Sequence, residues 1–174
     1  MGVRLSNSSQ GASRRWLYPE GGVRTLSTNT VTAGKVYLSL CQVDFHFLVE
    51  GMDIYNFATV AGNITVGIYQ AVSETTPENA VLIASSASTA MAGANQLQYI
   101  AFSSNVYLSP GRYYLAVEYS DNTATNGVST ITGAIIPLIF SYYARGGGYG
   151  ALIDPCPAPT ANGTFSAIAV RVVV

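Results

Sequence analysis

Charge is what this sequence has least of. Only 10% of its 174 residues are Asp, Glu, Lys or Arg, against roughly 25% in ordinary soluble domains. With 8 basic and 9 acidic residues and a formal net charge of −1, the chain cannot neutralise the run of phosphates that a duplex presents, so no nucleic acid is expected as a partner. Scarce charge does not mean disorder, because 49% of the residues are hydrophobic and a disordered chain needs the opposite balance. Long apolar runs are missing as well. The most apolar stretch, Ile131 to Phe140, is interrupted by Pro137 and is about half the ~20 residues of a spanning helix, so no membrane is expected either. The first nine residues hold no apolar core, and no secretory signal is read there. Without that route the sequons at Asn7, Asn63 and Asn162 carry no weight, and Gly2 with Ser6 matches a myristoylation pattern only loosely.

The residues of catalysis are equally sparse. His46 is the single histidine, and with two distant cysteines it gives no metal-ligand spacing. A serine hydrolase would need that histidine as its base, and no Gly-x-Ser-x-Gly elbow is present. Gly146-Gly147-Gly148 lacks the Lys-Ser/Thr of a phosphate loop. Asp44, Glu50, Asp53 and Glu118 are the strand-borne carboxylates a glycosidase would draw on. They fall on opposite parities of their strands and read as surface residues. No enzyme, no cofactor and no metal are therefore expected. Cys41 reads as a small buried hydrophobe, and Cys156 lies between Pro155 and Pro157; spacing neither requires nor forbids a disulfide.

What is present points to assembly. Seven of the eight basic residues are Arg, Lys35 is the single lysine, and there are 12 Tyr. Interfaces favour Tyr and Arg over Lys, and a thin charge coat does little to prevent association. The competing reading is a neutral monomer solubilised by Ser, Thr and Asn. Residues 1–24 form a separate region, with Arg4, Arg14, Arg15 and Arg24 against Glu20. Ser6 to Ser13 has turn chemistry and nothing to bury, so this region is expected to be an extended basic arm. Arg14, Arg15, Trp16 and Tyr18 are the residue types that anchor interfaces. The competing role for Trp16 is to cover one end of the domain's own core.

Residues 25–174 read as one all-β domain. Val36, Leu38 and Leu40 alternate with Tyr37, Ser39 and Cys41, and Val43, Phe45, Phe47 and Val49 continue the pattern through His46 and Glu50. Strands are expected at Ile54 to Val60 and Ile64 to Tyr69, joined as a hairpin by Ala61-Gly62-Asn63. Others are expected at Val81 to Ala84, Gln96 to Phe102, Val106 to Leu108, Tyr113 to Tyr119 and Phe165 to Val174. Ser109-Pro110-Gly111 is a Pro-Gly turn. Ala84 to Ala94 is the nearest thing to a helix, but Gly93 and its Ser and Thr content make it strand edge or loop. About eight short antiparallel strands favour a jelly-roll-like β-sandwich over a smaller immunoglobulin-like sheet pair. The connection from Ser120 to Asn162 is too long for an ordinary loop, so it is functional or hides a strand at Ile135 to Tyr142. Tyr142, Tyr143 and Tyr149 of that connection, with Tyr18 of the arm, could form a stacking platform for sugars; a subunit interface or plain strand packing are the alternatives.

Four segments fall in a familiar order: Thr32-Ala33-Gly34-Lys35-Val36-Tyr37-Leu38, Ile64-Thr65-Val66-Gly67-Ile68-Tyr69-Gln70, Val81-Leu82-Ile83-Ala84-Ser85-Ser86, and Tyr107-Leu108-Ser109-Pro110-Gly111-Arg112-Tyr113-Tyr114-Leu115-Ala116-Val117. Across roughly residues 30–140 the chain resembles the β-sandwich modules of tailed-bacteriophage virion proteins, both capsid decoration (cement) proteins and tail-fibre tips. The Gly-Ile-Tyr strand and the Leu-x-Pro-Gly-x-Tyr-Tyr-Leu-Ala turn and strand carry that resemblance, and no catalytic residue comes with it. It implies a virion location, the major capsid protein or other virion subunits as partners, and self-association into a homo-oligomer. Only the basic arm precedes the domain, with no stalk, which favours a cement protein attached directly to the shell. The alternative is a tail-associated module that binds a receptor or a host-surface glycan through the 120–162 loop.

Overall fold

The structure, a computed structural model, describes residues 14–17, 24–73, 75–131, 140–144, 148–162 and 170–173. Thirteen strands and no helix occur among them: β1 (Arg14–Leu17), β2 (Arg24–Thr30), β3 (Lys35–Val43), β4 (Phe47–Asn56), β5 (Asn63–Gln70), β6 (Val81–Ser85), β7 (Thr89–Ala90), β8 (Gln96–Leu108), β9 (Gly111–Tyr119), β10 (Thr125–Ile131), β11 (Phe140–Ala144), β12 (Ala161–Asn162) and β13 (Val170–Val173). Every ladder is antiparallel. The first sheet has six strands in the order β1-β13-β4-β10-β2, with β8 on the other edge of β4. The second has seven, in the order β12-β11-β3-β9-β5-β6, with β7 also on β5.

The main core lies between the sheets. Tyr37, Cys41 and Val43 of β3, Ile64, Val66 and Ile68 of β5, and Tyr113, Leu115, Val117 and Tyr119 of β9 meet Val49, Met52 and Ile54 of β4 and Ile100, Phe102 and Leu108 of β8. The other face of the second sheet is not left to solvent. Val36, Leu38, Tyr69, Tyr114 and Ala116 form a second cluster there with Leu152 and Cys156, so the segment 148–160 lies over that face as a third layer. A strand covered on both sides needs no polar alternation, and this is why β5 and β9 are buried almost end to end. β8 has one covered face and alternates: Ile100 and Phe102 are buried, whereas Leu97, Tyr99 and Ala101 are exposed.

Several expected elements take a different form. The strand pattern running through Val43 to Val49 breaks at Asp44, Phe45 and His46, all exposed in a bend, because β3 and β4 belong to opposite sheets. Ala61-Gly62-Asn63 does not close a hairpin. β4 ends at Asn56, and residues 57–62 carry the chain across to the second sheet. The crossing is held by Phe57 N–H donating to Thr125 O (3.0 Å) and Asn63 N–H to Ser120 Oγ (2.7 Å). Gly62 sits at φ +70°, where a Cβ would come within 2.6 Å of Ser120 Oγ, so glycine is required there by both conformation and space. The Pro-Gly turn also joins the two sheets, and the Tyr113 hydroxyl pins it by donating to Ser109 O at 2.8 Å.

Among its described residues the 120–162 connection contains three strands, β10, β11 and the two-residue β12. The strand expected at Ile135 to Tyr142 is found as β11 from Phe140, with residues 132–139 outside the described set. The C-terminal run forms β13, paired with β1 and β4; residues 163–169 and 174 lie outside the description. Both cysteines are buried thiols. Cys41 is in the core between the sheets and Cys156 belongs to the third layer, packed on the outer face of the second sheet, so that sheet separates them and no disulfide joins them.

Candidate functional site

The interface residues expected from sequence are divided by the fold. Arg14, Arg15 and Trp16 lie on β1, a strand of the first sheet, where the ladder sets them opposite Val173, Val172 and Arg171. This part of the expected arm is therefore a paired strand. Arg4 and Tyr18 lie outside the described residues. Tyr142 and Tyr143 lie on β11 in the second sheet, opposite Tyr37 and Val36 of β3. Trp16 and the β11 tyrosines thus belong to different sheets.

Tyr149 is placed in the third layer, half-buried, with its hydroxyl engaged twice. It pairs with Thr65 Oγ1 at 2.7 Å and donates to Ser88 Oγ at 2.9 Å. Those bonds fasten the start of the 148–160 segment to β5 and to the loop before β7. The segment is fastened further on as well. Tyr69 donates its hydroxyl to Ile153 O (2.8 Å), and Leu152 packs where Gly67 leaves room, its Cδ1 filling the position a Cβ would take. Leu82 N–H donates to the Asp154 carboxylate (2.9 Å), and Cys156 exchanges backbone bonds with Ala80 and Asn79 at 2.8 Å each. In its described part, the stretch expected to be a functional loop acts as a cover for the second sheet.

Burial between that cover and the sheet shifts the groups held there. The Cys156 thiol is pushed up to about 12 by desolvation. Tyr114 is likewise pushed up to about 12, by desolvation first and by Cys156 second, with Arg112 opposing. Tyr113, in the main core, is raised by burial against the bond to Ser109. Each of these is held in its neutral form, which suits packing. The Asp121 carboxyl is lowered by the Thr123 hydroxyl and N–H, which close an exposed turn.

The four carboxylates do not converge. Asp44 is exposed in the β3–β4 bend, and Glu50 lies 3.4 Å from the Asn105 amide. Asp53 and Glu118 are not surface residues as expected: they are 3% and 0% exposed. Asp53 alternates with the core residues Met52 and Ile54, so it faces away from the core of the first sheet, while Glu118 shares the covered outer face of the second sheet with Tyr114 and Ala116. They therefore sit on opposite sides of the molecule. His46 is exposed in its bend, and no group of three His, Cys, Asp or Glu side chains is placed to hold a metal among the described residues.

The surface feature that individual motifs missed is on β8. Leu97 is 49% exposed, Tyr99 41% and Tyr107 75%, and Phe45 at the β3–β4 bend is 58% exposed. The signal was available: from Asn79 to Gly111 the chain holds no charged residue, and this stretch spans β6, β7 and β8. Neutral surface with exposed aromatics is what contact regions are made of. No family model, no curated protein and no solved structure matches this chain.

Proposed function

We propose that this protein is a non-enzymatic structural subunit of a tailed-phage virion, a jelly-roll decoration protein that sits on the capsid and stabilises neighbouring shell subunits. The observation that carries the reading is the strand order. Set β1, β7, β11, β12 and β13 aside, and the sheets run β2-β10-β4-β8 and β3-β9-β5-β6. Between β2 and β10 the chain crosses from sheet to sheet at every step except β5 to β6. That is the order of an eight-stranded jelly roll, an architecture common in viral capsid proteins. Fold alone does not assign function; the resemblance of the four sequence segments to phage virion modules and the charge-poor aromatic surface support the rest of the reading. The partners on this reading are the major capsid protein and further copies of this chain.

The test is the copy number of the chain in purified particles, measured by quantitative mass spectrometry against the major shell protein. A simple fraction of the shell protein is expected. A handful of copies per particle would instead place it in the tail and overturn the decoration role, and absence from particles would overturn the virion reading. The role of the N-terminal arm is tested by deleting residues 1–13 only, since β1 begins at Arg14 and pairs with β13. Particle binding should fall while the thermal transition of the domain stays in place; retained binding would remove the arm from the contact.

A further inference from the structure

The edges of the two sheets are treated differently. At β6, backbone bonds between Cys156 and Ala80 and Asn79, and the Asp154 carboxylate on Leu82 N–H, cover the strand's start. β8 is the longest strand, with thirteen residues, and β4 is its only ladder partner among the described residues. Open edges are ordinarily blunted by lysine, proline, shortness or a covering loop. β8 contains no charged residue and no proline. The Gln98 side chain ties the preceding loop to the strand, accepting from Ala92 N–H at 2.9 Å and donating to Ala90 O at 2.8 Å, and β8 carries one interruption of its own. Its register against β4 jumps between Ala101 and Val106, where Gly51 and Val49 are the partners, and such an irregularity breaks an edge. It leaves Gln96 to Ala101 as a straight stretch, paired without interruption to Asn56 through Gly51.

We propose that Leu97 to Ala101 pairs antiparallel with the same stretch of a second copy, about a two-fold axis normal to the sheet, with Leu97 opposite Ala101 of the second copy. Antiparallel pairing makes an edge strand its own complement, and a two-fold contact is isologous, so whatever one copy presents it also meets. A charged edge would meet its own sign; this one is neutral throughout. A heterologous partner is commonly steered and oriented by charge, which β8 does not offer. The axis keeps each outward residue outward, so exposed apolar side chains meet one another, and registers that would oppose inward and outward residues are excluded. The two six-stranded sheets then become one. Five paired residues make a strip well short of the ~800 Å² per partner of a standard stable interface, so the dimer forms with rising concentration and is strengthened wherever copies are held side by side. This names the contact behind the self-association proposed above, and it fails separately from the virion reading, which copy number tests.

The experiment is sedimentation equilibrium of the full chain, with two variants. The weight-average mass should climb from monomer toward dimer between low and several hundred micromolar. Leu97→Lys should weaken association by about tenfold or more, because each interface holds two Leu97–Ala101 contacts, with the thermal transition unmoved at so exposed a site. A chain carrying both Leu97→Cys and Ala101→Cys should form a covalent dimer on mild oxidation, and neither single variant should. Within one copy those positions are too far apart to bridge, about 13 Å along the strand, and the native thiols are buried. A monomer at every concentration with no cross-link from the double variant overturns the proposal. So does a dimer that Leu97→Lys leaves intact, which would put the contact on another surface. A monomer whose particle binding is lost with Leu97→Lys assigns the edge to the shell protein and also overturns it.

Discussion

Removing one leucine should lift the third layer from the second sheet. Leu152 is 7% exposed, and its Cδ1 occupies the space that the missing side chain of Gly67 leaves over β5. Leu152→Ala deletes most of that contact. Buried Leu→Ala changes cost about 2–5 kcal/mol, least where the surroundings can close in; a surface segment can settle, so about 2–3 kcal/mol is expected. With a urea slope of about 2 kcal/mol/M for a domain of this size, the midpoint falls by about 1 M. A second readout is local. Cys156 belongs to the same segment, its side chain packed against the sheet and its thiol pushed up to about 12, so at pH 8 its thiolate fraction is on the order of a thousandth of an ordinary cysteine's. Loosening the cover by 2–3 kcal/mol should speed its reaction with Ellman's reagent by on the order of 100-fold. Cys41, in the core between the sheets, serves as the internal control and should stay silent until global unfolding. An unchanged midpoint, or a Cys156 that reacts no faster than Cys41, would refute the idea that 148–160 is a packed layer.

Two further outcomes follow from the described geometry. Gly62→Ala forces a Cβ against Ser120 Oγ and Asp121 Cβ at φ +70° and should cost about 2 kcal/mol, read as a thermal midpoint several degrees lower; a shift under one degree would mean the crossing is not constrained as described. Stability should be flat near neutrality and fall in alkali. Cys156 and Tyr114 have folded values raised to about 12 from ordinary values of 9.0 and 10.0. The unfolded chain therefore releases these protons first, and stability is lost as pH rises from about 9 toward 12. Thermal scans between pH 7 and 11 check this, and a midpoint independent of pH up to 11 would contradict it.

How much of this was legible in the sequence depends on what each segment had to bury. β3, β5 and β9 announce themselves through Val, Ile, Leu and Tyr, and β8 through its alternation. β10, Thr-Asn-Gly-Val-Ser-Thr-Ile, was missed because its small polar residues look like a turn, and only its pairing with β2 over seven residues defines it. The sheet to which each strand belongs was not legible either. Ala61-Gly62-Asn63 has hairpin chemistry, yet the same residues serve a crossing, because glycine at positive φ suits any sharp change of direction. Residue type alone marks Tyr149 as an interface candidate, and type does not reveal that its hydroxyl is already bonded to Thr65 and Ser88. A clue to the third layer was present: β5 and β9 are apolar at successive positions, which needs cover on both faces.

The covered outer face of the second sheet also decides where this molecule will accept foreign sequence. By composition, Gly148 to Thr160 looks like the natural place to graft a peptide for display, being rich in glycine and proline with no regular structure. An insert there would uproot Leu152 and Cys156 and expose the rings of Tyr69 and Tyr114 to water. The β5–β6 connection around Thr75 and Thr76 is the better graft site. Ser73 O accepts from the Tyr114 hydroxyl at 3.2 Å and Pro77 is buried, so the insert belongs between them, after Thr75. The side chains there bond only near neighbours, Ser73 to Thr75 and Thr76 to Glu78 N–H, and a longer chain adds mainly loop-closure entropy, about 0.6 kcal/mol for each doubling in length.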